Sequence, residues 1–447
     1  LKDEAALQKA LASLLPGERL IVDQRREEFT VDGLLPGAVA LPETVEEAAS
    51  VLAAAFGREA AVIPWGNGTY MGLGNLPAAY DLALSLTRLN RITEYERDDL
   101  EVAVQAGVRL RDLQQHLSEH GQLLPIDPPG NGDETIGGIL ATNAGGPLRY
   151  AHGSPRDLVM GMKVLHADGR LTKTGGRVVK NVAGYDMAKL YVGSLGSLAV
   201  IVEATVRVVP LPMTRETLVA FCPTFRDATD LALAADGLGL SLRALEVLDG
   251  GSAGALLQPA GVETPPDGAA LVTAVAGSPA AVERSLRDLE TLCRDRGAGP
   301  VERLSDGADL WRALAERLRP GRNGLLARAS LLPTQVEPLC ERLQEVARST
   351  GLTLEVISHA AVGVAYSRWR AEDEAGLMRQ GATVVRELTR ATGELGGTFV
   401  VESCPPELKR DVDVWGEPRE DFPLMRRVKE QWDPRGILNP GRFVGRL

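Results

Sequence analysis

The sequence predicts an α+β protein of two or three domains, and three observations carry that reading. The chain has 447 residues, and a domain holds about 100–200. Its grammar changes once. Up to Pro210 and Pro212, glycine-rich loops punctuate the strands and helices. Beyond them strand-like and helix-like stretches alternate without such loops, which fits a mostly antiparallel sheet with helices on one face. Finally, 44% apolar and 24% charged residues describe a globular chain that can bury its own core without staples.

Residues 43–56, ETVEEAASVLAAAF, have apolar residues at helical spacing. Thr44 caps that helix, and Glu47 three residues on completes a capping box. The apolar run 60–64 reads as a short strand, and DLALSLT (81–87) and EVAVQAG (101–107) alternate as strands do. Residues 109–120 read as a helix ended by Gly121. From 121 to 186 Gly, Pro and Asn crowd together, with one short helix expected around 136–144. A long loop-rich stretch inside a domain is functional or disordered; its retained apolar residues predict an ordered ligand wall. VMGMKVLHADGRLTK then turns a hairpin at Asp168-Gly169, and 198–209 form a long strand. After 212, TLVAFC, RALEVLDG, AALVTAVAG, GLLARASLL, LTLEVIS and GTFVVES read as strands, with helices over 278–296 and 371–391. The expected division is 1–211, 212–410 and a tail, 411–447.

Several function classes recede at this level. A net charge of −11, without an isolated basic stripe, argues against nucleic acid as the main partner. Cys222, Cys293, Cys340 and Cys404 form no C-x-x-C pair, so the chain has no iron–sulfur or zinc signature of its own. They read as small buried hydrophobes in a reducing compartment. No run reaches the ~20 apolar residues of a membrane span. The opening LKDEAALQKA lacks an apolar signal core, and the default expectation is cytoplasmic.

Two glycine clusters carry the chemistry. WGNGTYMGLG (65–74) follows the strand at 60–64. Its glycine spacing is wrong for a G-x-G-x-x-G fingerprint, no good helix starts at Met71, and no Gly-Lys-Ser/Thr is present. A structural turn remains open beside a second reading: a backbone nest for a pyrophosphate, assisted by the Asn67 and Thr69 side chains. In TIGGILATNAGGP (135–147), Gly137-Gly138 and Gly145-Gly146 flank a small-residue helix. That helix would let a flat ring or a diphosphate approach the backbone, with Asn143 bonding a ring carbonyl or a phosphate; tight helix packing is the alternative.

IPWGNGTYMGLG, TIGGILATNAGGP, RYAHGSPRD, VVKNVAGYDMAKLYVGSLGSLAVI and a terminal DPRGILNPGRF occur in this order. That order resembles the flavoprotein family of the vanillyl-alcohol oxidase or p-cresol methylhydroxylase (PCMH) fold. Within it, the words resemble the FAD-binding-subunit (GlcE-type) branch of bacterial glycolate oxidases. The resemblance runs from about residue 36 to the C-terminus and is strongest in 60–210 and 412–445. It implies a two-subdomain PCMH-type FAD-binding domain, a ferredoxin-like α+β cap with an antiparallel sheet, and a tail that returns to close the flavin pocket near Asn439.

It also implies residue roles. Trp65, Gly66, Asn67, Gly68, Thr69 and Tyr70 would hold the FAD pyrophosphate. Asp127, Pro128 and Pro129, with Thr135, Ile136, Gly137 and Gly138, would line the diphosphate and ribityl path. Asn143 and Ala144 would sit by the flavin. Tyr185, Asp186, Val200 and Ile201 would face the isoalloxazine or adenine side. Family members often carry Arg where this chain has Trp65. Some tether flavin through a His in the glycine loop; no His lies between 60 and 115. His152 is the nearest candidate elsewhere, and FAD is expected to be non-covalent.

Oxidising a 2-hydroxy acid needs a base, a cation for the carboxylate and an α-carbon facing the flavin. Catalytic relatives carry a His-x-Gly-Asp-Gly-Asn-x-His stretch in the second domain. Here SHAAVGVAYSRWR (358–370) keeps His359 and Gly363 but not the Asp-Gly-Asn or the second His. GGTFVVESCPPELK (396–409) keeps Glu402 but has no His. A metal site on paired His is therefore not expected. His359 is either a base or a structural residue; Tyr366, Arg368 and Arg370 either line a pocket or are solvated.

The expectation is a FAD-binding subunit of a heteromeric glycolate oxidase, partnered by a second FAD-containing subunit and an iron–sulfur subunit. Through them it would be docked at the inner face of a membrane. The alternatives are a self-sufficient 2-hydroxy acid (lactate-type) dehydrogenase using His359 or Tyr366, and a non-catalytic assembly subunit with a vestigial flavin site.

Overall fold

A computed structural model describes residues 4–176, 185–265, 268–321 and 324–447. Of the motif expected over 178–201, residues 178–184 lie outside these.

The N-terminal part holds two sheets. The smaller runs in the order Leu20–Ile21, Ala38–Ala40, Leu82–Ser85, Val62–Trp65, and its last three strands are parallel. Parallel neighbours need a crossover. Helix Val45–Phe56 supplies one, burying Ala48, Val51, Leu52 and Ala55, the one-face spacing of a helix. Thr44 caps it through Glu47 N at 3.1 Å. The capping box closes one residue early: the Glu47 carboxylate accepts Glu43 N and meets Arg19 Nη1, each at 2.8 Å. The guanidinium draws the acid away from the position expected for it.

The second sheet is antiparallel, in the order Ile92–Glu96, Glu101–Gln105, Val200–Arg207, Val159–Leu165, Leu171–Gly175. Its central strand buries both faces, Val200 and Val202 in one core and Ile201, Ala204 and Val206 in another.

The next part is one eight-stranded, all-antiparallel sheet. Strands Thr214–Cys222, Leu242–Asp249, Ala269–Gly277 and Val301–Ser305 form a β-α-β-β-α-β unit in the ferredoxin-like order, fourth, first, third, second. Leu325–Ser330, Thr353–His359, Val364–Arg370 and Thr398–Ser403 repeat that unit as its mirror in the sheet. The units join where their second strands pair, with Glu246 opposite His359 and Leu248 opposite Ile357. Helices Phe225–Asp236, Pro279–Asp295, Val336–Thr350 and Glu374–Glu394 cover one face. Helices were expected on that face alone, but Gly250–Leu257 and Ala308–Arg317 pack on the other. Val219, Leu248, Val272 and Ile357 make that second face apolar too, so both sides need a cover.

The tail returns to the first sheet. Val62 N donates to Ile437 O at 2.7 Å, and Asn439 N to Val62 O at 2.8 Å. Buried Lys429 holds this course: Nζ donates to Asp433 at 2.6 Å, Ser197 O at 2.8 Å and Leu438 O at 2.9 Å.

Candidate functional site: a glycine cradle under an interdomain pocket

The loop after Val62–Trp65 has the carbonyls of its second half occupied and the amides of its first half bare. Arg442, buried in the tail, donates through Nη2 to Met71 O and Leu73 O, each at 2.6 Å. Lys409, paired with Asp32 at 2.8 Å, donates to Gly72 O at 2.6 Å. Three successive carbonyls are thus turned onto two buried cations. The N–H groups of Gly66, Asn67, Gly68, Thr69 and Tyr70 have no acceptor among the described residues. Gly68 takes φ +77°, open to glycine at no steric cost. Such consecutive amides form an anion-binding concavity.

Trp65 is not part of that cradle through its side chain. The indole packs 5.1 Å from the Phe29 ring in a core with Ile63 and Tyr80. A Cβ on Gly68 would come 3.0 Å from it. The indole is therefore a floor beneath the loop. Asn67 Nδ2 is engaged with Asp133 O at 3.2 Å. Tyr70 OH donates to Pro129 O at 3.0 Å.

Opposite the loop, helix Ile136–Thr142 is capped by Thr135, whose Oγ1 accepts Gly138 N at 3.3 Å. Ile136 points into the core, and a Cβ on Gly137 would lie 2.7 Å from Ala106 Cβ. Gly137 is therefore a packing glycine. Gly138 instead borders a cavity of about 60 Å³, shared with the loop, Leu195, Asn439 and Arg442. On its other side the loop faces an open cleft of about 840 Å³ that includes Ser85, Thr87, Arg109 and Arg319. The sequence reading missed these four, which lie on separate strands and turns.

Other expected contacts fall elsewhere. Asp127 accepts Leu148 N at 3.0 Å, and burial raises its carboxyl well above the ordinary range. It braces the 145–148 turn beside buried Pro128 instead of lining a diphosphate path. Asn143 ends its helix in the left-handed region (φ 51°), with Oδ1 accepting Arg156 N at 3.2 Å. Ala144 lines the interdomain pocket next to it. Tyr185 is 94% exposed and Asp186 pairs with Lys189 at 3.5 Å. Val200 and Ile201 send their side chains into two cores. Asn439, also left-handed (φ 51°), ties the tail by donating to Leu195 O and accepting from Arg442 Nη1 at 3.2 Å. His152 lies away from the loop, with Nε2 2.5 Å from Arg243 Nη1.

Between Asn143–Arg149 and the cap sheet lies a pocket of about 20 Å³, walled also by Tyr70, Arg328, Tyr366 and Glu402. Arg328 Nε meets Glu402 at 2.5 Å; that carboxylate outweighs burial and raises the guanidinium pKa. Arg149 has no ion-pair partner among the described residues. Burial pushes the Tyr366 phenol up to about 12, and its ring lies 5.4 Å from that of His359.

His359 Nδ1 is 2.6 Å from Glu246 Oε2, both fully enclosed. Burial, with Arg149 and Arg328 nearby, lowers the imidazole to about 3, so it is neutral near pH 7. Burial raises Glu246 well above its ordinary value. His359 Nε2 has no hydrogen-bond partner among the described residues. Once ionised, a carboxylate that orients one ring nitrogen and leaves the other free sets up a histidine base. Arg368 does not join it. Its Nη2 donates to Arg317 O, burial lowers its pKa to about 10, and its cross-strand neighbour is Glu355. It stands two residues beyond Tyr366 on the same strand. Glu402 was noted in the sequence; Glu246, Arg328 and Arg149 escaped notice individually. The one signal was a charged residue at in-phase apolar positions of LRALEVLD and LLARAS.

Comparison with known proteins agrees with this architecture. An FAD binding domain family model matches residues 36–175, and the C-terminal domain model of FAD linked oxidases matches 211–443. Similar proteins include glycolate oxidase subunit GlcD of Bacillus subtilis, 28% identical and covering 92% of this chain and 90% of that one. D-2-hydroxyglutarate dehydrogenase of Xanthomonas citri is 30% identical, covering 91% and 89%. D-lactate dehydrogenase of Archaeoglobus fulgidus is 28% identical, covering 92% and 91%. The solved structure of p-cresol methylhydroxylase with substrate bound superposes with a TM-score of 0.77 at 15% identity, covering 98% and 96%. That likeness fixes a PCMH-type α+β fold. With the cradle's free amides fitted to a dinucleotide pyrophosphate and both family models matched, the chain belongs to the FAD-linked oxidases, as an FAD-binding oxidoreductase.

Proposed function

We propose that this chain oxidises a small 2-hydroxy acid at its own flavin and hands the electrons to partner proteins. The observation that carries this is the enclosed His359–Glu246 pair on the cap seam, which feels the charge of Arg149 and packs His359 against Tyr366 of the pocket wall. Bound FAD supplies the hydride acceptor. Arg149 holds the substrate carboxylate. His359, with Nδ1–H donated to an ionised Glu246, would take the hydroxyl proton at Nε2, so that a 2-oxo acid is left once the two electrons pass to the acceptor. Arg328, Glu402 and Tyr366 wall the pocket and exclude water. The names of the relatives span glycolate, D-lactate and D-2-hydroxyglutarate, which supports a 2-hydroxy acid as the substrate class.

The subunit reading is supported by the relative named as a glycolate oxidase subunit. All four cysteines are buried and free, and none belongs to a metal-ligand group among the described residues. Onward transfer then falls to a second FAD-containing subunit and an iron–sulfur subunit. No described helix is long and apolar enough to cross a membrane, so docking at the inner face would be through those partners. Anaerobic mixing of the FAD-loaded chain with glycolate, then D-lactate, tests the reading. Bleaching of the flavin at a catalytic rate is expected from the isolated chain. Bleaching only when partners are added would favour the second reading, in which a sister subunit dehydrogenates. The loss of the paired-His motif around His359 speaks for that one.

A further inference from the structure

The short helix Arg149–His152 serves two cavities. Arg149 faces the small pocket described above, and His152 faces another, of about 260 Å³, between the FAD domain and the cap. Arg243 stands on the wall of this second cavity. It sits in a β-bulge, where the pairing of Leu242–Asp249 with Ala269–Gly277 slips between Leu242 and Ala244. Bulges re-aim a side chain out of the regular pleat. Arg243 is half-buried, and its one polar contact among the described residues is His152 Nε2 at 2.5 Å. Nε2 accepts there, because burial and Arg243 hold the ring neutral, with its pKa lowered to about 4.

The acids on the same wall do not compensate Arg243. Asp306 is paired with Arg215 at 3.1 Å, Asp127 is spent on Leu148 N, and Glu216 is beyond ion-pair distance. A partly desolvated guanidinium without a counter-charge is costly, and a planar carboxylate is the group its fork matches. The remaining wall is apolar, with Leu123, Pro147, Leu148, Val275 and Trp311. That excludes a bare inorganic anion as the better fit.

We propose that this interdomain cavity is a second ligand site, distinct from the flavin pocket, which takes an organic monocarboxylate with Arg243 as its clamp. Because Arg149 and His152 share four residues of one helix, occupancy here bears on how Arg149 is held. The site itself does not depend on the oxidation proposed above.

Benzoate is the probe, titrated calorimetrically into the FAD-loaded chain, with benzamide as its uncharged control. Saturable benzoate binding is expected, and benzamide should be at least tenfold weaker. R243M should weaken benzoate about tenfold or more, the worth of a charge-assisted pair, with FAD content unchanged. Ala274→Leu, which leaves Arg243 intact and fills the cavity, should do the same. R149M should leave this binding in place. No saturable binding to the wild type, equal binding of benzamide, or wild-type binding by both R243M and Ala274→Leu would overturn the proposal. So would loss of benzoate in R149M alone, since that would place the ligand in the flavin pocket.

Discussion

Glu246 and His359 are cross-strand partners on the seam between the two ferredoxin-like units, their side chains 2.6 Å apart and shut off from water. A base at this seam works only if Glu246 is a carboxylate that accepts Nδ1–H, since Nε2 must keep its lone pair. Burial holds a proton on Glu246 above its ordinary range. The kcat/KM for the 2-hydroxy acid should therefore rise with pH as that proton leaves. H359Q and E246Q should each cost about 10²–10⁴ in kcat, the usual worth of a positioned base. The double variant should cost little more than either single one, because the pair acts as a unit. Stopped-flow flavin reduction measures all three; additive losses would contradict a shared role.

The same pair makes a stability prediction. Unfolded, Glu246 and His359 titrate near 4.5 and 6.5. Folded, Glu246 keeps its proton higher and His359 stays neutral down to about 3. As pH falls below 6.5 the unfolded chain takes up a proton that folded His359 refuses down to about 3, and that part of the stability is lost. As pH rises above 4.5 the unfolded chain gives up a proton that folded Glu246 keeps, and that part is lost until Glu246 ionises. Where the two ranges overlap the slopes oppose each other. Each limb should approach about 1.4 kcal/mol per pH unit. Urea melts of wild type against the E246Q/H359Q double variant, at matched FAD occupancy, should differ by that profile.

Arg149 and Arg368 were not distinguishable as sequence; the fold separates them. R149M should raise KM for the hydroxy acid strongly, by about tenfold or more for one lost charge-assisted contact. R368M should leave KM near wild type, since that guanidinium is committed to Arg317 O. Steady-state kinetics on the two proteins would show the reverse order if the roles were exchanged.

Local rules reached the elements whose signals are local. Thr44 does cap its helix, and Asp168-Gly169 does turn the hairpin, because a cap or a turn is decided within four residues. The two glycine clusters stood out because only backbone-exposing loops tolerate so many glycines. The buried Glu246–His359 pair did not stand out. Glu246 and His359 are 113 residues apart, and only the pairing of two second strands brings them together. The doubling of the cap was hidden for the same reason. Each unit reads as ordinary αβ alternation, and the mirror join is a property of the sheet edge.

The cradle predicts a graded response to glycine substitution. At Gly66 a Cβ would sit 2.2 Å from Thr135 Oγ1, and at Gly68 it meets the indole at φ +77°. Gly66→Val and Gly68→Val should both purify without FAD, as the absorbance ratio at 450 and 280 nm would report. Gly72→Ala, where nothing lies within 4 Å and φ is ordinary, should keep its flavin. Stoichiometric FAD in both valine variants would mean the dinucleotide binds elsewhere.

Arg442 tests whether the tail acts on the loop through charge. It is 2% exposed, and it holds Met71 O, Leu73 O and Asn439 Oδ1. R442M leaves those three acceptors without their donor, at about 1–3 kcal/mol each where burial persists. The loop would relieve the cost by turning its carbonyls toward the crevice, which sets oxygen dipoles against an incoming pyrophosphate. The expectation is a lower Tm and a loss of FAD affinity larger than the loss of stability alone would give. K429M cuts the same tail loose from Ser197 O and Leu438 O without touching the loop carbonyls. It should therefore lower Tm while FAD affinity at a temperature well below the melt stays close to wild type. Equal effects of the two variants on FAD would show that the tail supports the fold and not the orientation of the loop.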